Sequence, residues 1–352
     1  MSAPHIWLRA ETKANEQRRA LSPANAGKLV EHGFRVSVER STQSIFAGPE
    51  FEEHGCDPVA EGSWQDQAPE DAYILGLKEL PPTPAKLRHR HIYFAHAYKG
   101  QSGWQDTLSR FTAGGGQLLD LEYLTDPDGR RIAAFGFWAG FAGAAVALRA
   151  WSAQKRGQAL RDLIAHRHQQ EMIEEVKHGL GDRRPRLIVI GANGRCGQGA
   201  RAVAGELGLD VTCWDIDETR RGGPFPEILD HDILVNCVFV DREIPPFMTP
   251  DLLGRPGRTL SIICDVSCDP SSDFNPLPLY RDCTDFGSPC QRIADAPPLD
   301  LIAIDHLPSL LPAESSHDFS SQLLPALLDL QGDGTGVWHR ASQSFLEKSQ
   351  SI

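Results

Sequence analysis

One stretch limits what this 352-residue chain can fold into more than any other: "RLIVIGANGRCGQGA", residues 186 to 200. An apolar run that passes at once into a glycine-rich turn and then into small residues reads as a buried parallel strand entering a helix. Gly191, Gly194, Gly197 and Gly199 permit a tight turn, a close backbone approach to a pyrophosphate, and close packing of helix on strand. The helix start behind them, with Arg195 and Cys196 in the turn, offers N–H donors and a positive dipole end to an anion. The spacing is GxxGxxG and not GxGxxG, so context has to sharpen the reading. It does: the next apolar run, "VTCWD", ends in Asp215, 24 residues after Gly191, where an acid receives the adenosine ribose hydroxyls and repels a 2'-phosphate. NAD is therefore the expected cofactor, with Arg220 and Arg221 keeping NADP open.

The runs "DILVNCVFV" and "TLSIICDVS" continue this βα series. A second series precedes it. Ser22 and Pro23 open a helix over about 23 to 32, "FRVSVER" alternates like a strand, and "AYILGLK", "HIYFAHA" and "QLLDLEYL" each lie between turn-rich or helical segments. Between the two series lie an apolar, glycine-punctuated helix from Ala133 to Trp151 and a polar helix through "LRDLIAHRHQQEMIEEVKHGLG". Strands alternating with helices predict an α/β protein of two Rossmann-like doubly wound domains separated by a cleft. The helical "FSSQLLPALLDL" and "VWHRASQSFLEK" are expected to complete the first domain. The expected division is 1–134 plus 320–352 for a substrate and catalytic domain, and 135–319 for the NAD-binding domain.

Composition narrows the function. A formal net charge of -12 opposes nucleic-acid binding, which draws on clustered cations. No apolar stretch reaches the roughly 18 residues a membrane helix needs. The first residues lack a presequence pattern and "KSQSI" is not a peroxisomal tripeptide, so a cytoplasmic enzyme is expected. The eight cysteines include no CxxC and no zinc-type spacing, and no metal is expected. Cys196 and Cys237 fall near neighbouring strand ends; they read as separate thiols, with a regulatory disulfide as the alternative.

Lys78 and His96 close two of the first-series runs, near the carboxyl ends of predicted strands, where open α/β sheets put their ligands. A desolvated lysine can serve as a base, and a histidine already titrates near neutrality. The chain also opens on a dense charge run, "LRAETKANEQRRALSP", residues 8 to 23. By itself that run could be a solvated face, a targeting segment or an active-site edge.

These blocks, with "GLKEL", "FAHAYKGQSGW", "GRRIAAFGFWAGFAG", "WDIDETRRGGPF", "NCVFV" and "IDHLPSLLP", resemble the NAD-dependent, L-lysine-forming saccharopine dehydrogenases over nearly the whole chain. The Glu-x-x-x-x-Glu-x-Arg pattern of the first block is similar also to alanine dehydrogenase and the transhydrogenase nucleotide-binding subunit, relatives with a similar two-domain fold. The resemblance implies oxidative deamination of saccharopine to lysine and 2-oxoglutarate. It implies that Lys78 takes the proton of the secondary amine and His96 activates water against the resulting imine. Arg18, Lys99 and Arg131 would then meet the substrate carboxylates, which makes the charge run an active-site edge in which Arg9 and Arg19 are expected to be solvated. Glu79 and Glu122 would either tune the catalytic pair or be surface acids. On the nucleotide side it implies that Asp215 and Thr219 hold the ribose and that Val266, Asp305, His306 and Leu307 line the nicotinamide end. Phe239 stands where the resemblance leads one to expect a tyrosine, so packing on the adenosine replaces a hydroxyl contact. The partners implied are small-molecule substrates, with the protein a monomer or small homo-oligomer. A relative acting on another amine, or a non-catalytic NAD-sensing protein, are the alternatives.

Overall fold

The computed structural model describes residues 3–98, 103–240, 242–270, 272–331 and 336–352. The chain divides into two compact units, Met1–Ala134 with Pro312–Ile352, and Phe135–Leu311. The return to the first unit thus falls at Pro312, eight residues ahead of the expected boundary at 320, because one continuous helix, Pro312–Leu328, carries the returning chain.

The first unit holds a six-stranded sheet formed by β1 (His5–Leu8), β2 (Arg35–Glu39), β3 (Asp57–Val59), β4 (Tyr73–Leu75), β5 (Arg90–Tyr93) and β6 (Gln117–Asp120). Its order is β3-β2-β1-β4-β5-β6, with every neighbouring pair parallel. The order reverses between β1 and β4. That switch point is where loops from opposite directions diverge and leave a crevice at the carboxyl edge. The short β1 "HIWL" and β3 "DPV" escape a periodicity reading because β1 is buried on both faces and β3 is three residues long.

The returning helix Pro312–Leu328 is fastened to this unit by serines. Ser316 Oγ accepts from Arg19 N–H at 3.0 Å, and Ser320 Oγ accepts from Ser22 N–H at 3.0 Å and Asn25 Nδ2 at 2.9 Å. Phe319 on the same helix reaches Phe94, with ring centroids 5.8 Å apart. The last helix, Val337–Ser349, buries Trp338, Ala341 and Phe345.

In the second unit β7 (Leu187–Ile190), β8 (Val211–Trp214), β9 (Ile233–Asn236), β10 (Ile262–Asp265), β11 (Gln291–Asp295) and β12 (Pro298–Ile302) pair in the order β11-β12-β10-β9-β7-β8. All pairs are parallel except the β11–β12 hairpin, and here the reversal lies between β7 and β9. The core strands read "LIVI", "ILVN" and "IICD" and are buried throughout, as a sheet covered on both faces requires. Helix Gly136–Lys155 lies against helix Arg195–Glu206 so closely that Cβ atoms at Gly140 and Gly199 would collide with the carbonyl oxygens of Cys196 and Phe137.

The polar helix expected from Leu160 begins only at Gln169. Residues ahead of it give their backbone donors to distant partners: Leu163 N–H to Phe286 O at 2.7 Å and His166 N–H to Leu310 O at 2.8 Å. Asp162 adopts a left-handed φ of 52°. Those tertiary bonds and that conformation break the local helical pattern. No helix among the described residues is long and apolar enough to cross a membrane.

Candidate active site

The charged residues of the opening run are buried except Lys13. Arg9 and Arg19 are 1% and 2% exposed, which corrects the expectation for both. The reason is paired chemistry at the end of β1. Glu11 accepts the backbone N–H groups of Leu77 at 2.7 Å and Lys78 at 2.9 Å, while Arg9 sits beside Glu11 at 3.3 Å and donates to the carbonyl of Lys78. Buried ions persist only when matched in this way. Arg19 has thinner support: its Nη2 donates to Leu8 O at 3.4 Å and Glu39 O at 3.3 Å. Burial pulls its pKa down to about 10, against the opposing pull of Glu11 and Glu39.

Glu16 and Arg18 form a forked pair, Nε to Oε1 at 2.8 Å and Nη2 to Oε2 at 2.6 Å, both side chains being buried. Burial pushes the Glu16 carboxyl up, but Arg18 and the nearby Lys78 ammonium outweigh it and hold the pKa below the ordinary carboxylate value. The β1 loop therefore carries a rigid guanidinium to the same edge as Lys78, which lies three residues past the end of β4. This is the β1–β4 switch point.

His96 lies three residues past the end of β5 and is half-exposed, with a left-handed φ of 52°. A non-glycine residue in that region is strained, and strain of this kind gathers at functional sites. Its ring stacks on Phe94, and its Nδ1 is 4.0 Å from Glu122 Oε2, which is in turn 3.5 Å from Arg131 Nη1. Arg131 reaches the same Glu122 from a turn built by Asp126, whose Oδ1 accepts from Asp128 N–H at 3.0 Å and Arg130 N–H at 2.8 Å. The structure thus gathers His96, Glu122 and Arg131 into one chain of contacts. Glu79 is more than half exposed and pairs with Lys13 at 3.7 Å, a surface ion pair. Lys99 lies outside the described residues. Asp120, absent from the expected site residues, ends β6 beside this group; the one mark it leaves in the sequence is an acid within the apolar run "QLLDLEYL".

In the second unit Gly191 has φ 79°, and a Cβ at Gly197 would strike the Gly191 carbonyl oxygen. At Gly197 nothing larger than hydrogen fits. Gly194 caps helix Arg195–Glu206 with extended backbone, and Arg195 and Cys196 form its first turn. Asp215 directly follows β8 and caps the short helix Ile216–Thr219: Oδ2 accepts Asn193 N–H and Oδ1 accepts Ile216 N–H, both at 2.9 Å, so the acid is tied to the glycine turn. Thr219 Oγ1 donates to Asp215 O at 2.8 Å. A glycine cradle, a helix start and an exposed-edge carboxylate fit a dinucleotide. Of the two candidates for a 2'-phosphate, Arg220 pairs with Asp217 at 3.4 Å, while Arg221 pairs with Glu227 at 2.5 Å and lies over the Trp214 and Phe225 rings.

Phe239 projects from the loop after β9, 63% exposed. Val266 is partly buried, Asp305 exposed, and His306 lies against Phe286 with ring centroids 4.4 Å apart. Leu307 is placed differently from its expected role, 1% exposed in the core where it backs Gly143 together with Val266. Behind this edge Asp265 is buried, accepting from Asn236 Nδ2 at 2.9 Å and Tyr280 OH at 2.6 Å; burial raises its pKa. Among the described residues no group of three His, Cys, Asp or Glu side chains could hold a metal ion.

The family model described as alanine dehydrogenase/PNT, N-terminal domain, matches residues 7–142. The chain resembles the solved structure of an L-alanine dehydrogenase with a TM-score of 0.69 at 16% identity, over 98% of this chain and 94% of that one, a likeness of fold. It is 47% identical to "Saccharopine dehydrogenase [NAD(+), L-lysine-forming]" of Emericella nidulans over 100% of this chain and 99% of the relative. The same identity holds for the protein of that name from Schizosaccharomyces pombe, over the full length of both. With near-complete coverage at that identity, the chain belongs to the NAD-dependent, L-lysine-forming saccharopine dehydrogenase family.

Proposed function

We propose that this chain catalyses the reversible NAD-dependent cleavage of saccharopine to L-lysine and 2-oxoglutarate, with Lys78 and His96 as its proton-transfer groups. Family membership supports the reaction. The observation that carries the residue roles is the β1–β4 switch point of the first unit, where Glu11 and Arg9 grip the Lys78 backbone and His96 follows the next strand.

Gly191, Gly194, Arg195, Cys196 and Gly197 would hold the pyrophosphate of NAD, and Asp215 with Thr219 its adenosine ribose. Phe239 would pack on the adenosine, and Val266, Asp305 and His306 would line the nicotinamide end, with Leu307 supporting Val266 from the core. Bound NAD+ supplies the hydride acceptor. Lys78 takes the proton of the substrate secondary amine, so that loss of hydride from the adjoining carbon leaves an imine. His96 takes a proton from water as its oxygen adds to the imine carbon, while the Lys78 ammonium returns its proton to the nitrogen; His96 then protonates that nitrogen as the carbinolamine collapses, its hydroxyl proton passes to the now neutral Lys78, and lysine departs. Arg18, fixed by Glu16, and Arg131, fixed by Glu122, bind substrate carboxylates, and Lys99 is a third candidate. Guanidinium forks suit carboxylates, and prior fixing lowers the ordering cost of binding.

We further propose a cytoplasmic location, small-molecule partners only, no nucleic acid, and a monomer or small homo-oligomer. The experiment that tests the reaction follows NADH oxidation with 2-oxoglutarate and, in turn, lysine, ornithine, alanine and ammonia. Turnover with lysine alone, abolished in the Lys78→Met, His96→Gln double variant, is expected. Turnover with another amine would replace the substrate, and NADH binding without turnover would mark a non-catalytic NAD-sensing protein.

A further inference from the structure

We propose that Asp120 is the positioning residue of the His96–Glu122 pair; this rests on His96 being a proton-transfer group. Asp120 ends β6 and stands in register with Tyr93, the last residue of β5, so it lies at the edge from which the His96 loop leaves the sheet. Its Oδ1 accepts the N–H of Ala95 at 3.3 Å and the N–H of Glu122 at 3.0 Å. One buried oxygen therefore ties the residue before His96 to the acid that faces the imidazole. The loop needs such a tie, because His96 holds a left-handed backbone that side chains with a Cβ adopt only when their surroundings enforce it.

The other oxygen distinguishes Asp120 from a structural acid. Glu39, in the same unit, is also buried, and its carboxylate accepts from four donors: Trp7 Nε1, Trp64 N–H, Ala10 N–H and Gly62 N–H. Asp120 is 1% exposed, yet its Oδ2 has no hydrogen-bond partner among the described residues. Fold stability alone would not retain such a group, since a bare buried carboxylate oxygen is costly. The groups that interact with it electrostatically are His96, Glu122, Tyr93, Tyr98 and Tyr123, with Arg9 near Tyr93. Burial lifts the Asp120 carboxyl to about 6; the two N–H donors and His96 oppose the rise and Glu122 adds to it.

The test compares Asp120→Ala with Asp120→Asn in the full-length protein. The readouts are kcat and KM for 2-oxoglutarate with lysine and saturating NADH, NADH affinity by fluorescence, and the His96 imidazole titration by NMR. The alanine variant is expected to lose kcat by about 10- to 100-fold, the scale of a small misplacement of a reacting group, with NADH affinity within about twofold. Asparagine keeps an acceptor for both N–H groups and is expected to restore kcat to within about threefold. The His96 titration is expected to move in both variants, because both lose the charge that His96 faces, and to move farther in the alanine variant, which also loses the tie to Ala95 and Glu122. Wild-type kcat in Asp120→Ala overturns the proposal, as does a loss in Asp120→Asn as deep as that in Asp120→Ala. If circular dichroism shows Asp120→Ala unfolded, Asp120→Asn decides: turnover within threefold supports the positioning role, and a loss equal to that of His96→Gln overturns it. Absence of turnover in the wild-type chain would mark failure of the reaction assignment. The His96 titration still reads the positioning role in that case, and a shift no larger in Asp120→Ala than in Asp120→Asn overturns it.

Discussion

The Glu11 carboxylate holds the backbone N–H of Lys78 at 2.9 Å, reaching across from the end of β1 to the loop after β4. The same carboxylate holds Leu77 and neutralises buried Arg9, so one acid fixes both the path and the electrostatics of the segment carrying the proposed base. Replacing Glu11 by alanine leaves a buried guanidinium and two amide donors unmatched. We expect Glu11→Ala to lower unfolding free energy by about 3 kcal/mol in urea titrations. Glu11→Gln, which keeps one acceptor oxygen, is expected to lose less. Equal stability of Glu11→Ala and wild type would contradict the clamp.

Acid should weaken the first unit. His91 is fully buried against Trp64, Tyr93 and Phe111, with both ring nitrogens unpartnered among the described residues, and burial holds its pKa well below the ordinary value. The unfolded chain therefore binds a proton that the folded chain refuses. The stability contributed is complete above the unfolded pKa of about 6.5 and is lost as pH falls below it, at up to about 1.4 kcal/mol per pH unit. His5 and His89, also lowered chiefly by burial, act in the same direction. Asp120 acts oppositely: with its folded pKa raised to about 6, protonation on acidification relieves a buried charge. We expect His91→Leu to flatten the decline of melting temperature between pH 6.5 and 5; an unchanged slope would remove His91 as its cause.

A methyl group at Gly197 has no room beside the Gly191 carbonyl. Gly197→Ala is therefore expected to distort the glycine turn and weaken NADH binding by at least about tenfold in a fluorescence titration. Helix Arg195–Glu206 itself should persist by circular dichroism, since alanine is a good helix former.

Cofactor choice should rest on Asp215. Asp215→Ser removes the charge that repels a 2'-phosphate, and we expect the ratio of NADPH to NADH affinity to rise by about tenfold or more. NADH affinity should fall as well, because Asn193 N–H loses its acceptor. The rise should grow when Glu227→Gln is added, because Arg221 then loses its charged partner. An unchanged ratio in Asp215→Ser would assign the discrimination elsewhere.

Strand after strand could be read from the amino-acid order where the pattern is local and complete. "RLIVIGANGRCGQGA" carries its strand, turn and helix in consecutive residues, and Lys78 and His96 follow apolar runs that must end at a sheet edge. Hydrophobic periodicity and glycine geometry act over a few residues, so they survive without knowledge of the fold. The charge run at residues 8 to 23 could not be resolved in this way. Arg9 and Arg19 look solvated in one dimension and are buried in three, because their partners are the Lys78 carbonyl, Glu11, and the carbonyls of Leu8 and Glu39. Nor does the order of residues reveal that Leu163 and His166 spend their N–H groups on Phe286 and Leu310, which ends the helical pattern there. The role of Asp120 is of the same kind, since the two N–H groups it binds become neighbours only when β5 and β6 pair. Charge matching and backbone satisfaction depend on distance in space, and the sheet sets those distances across many tens of residues of chain.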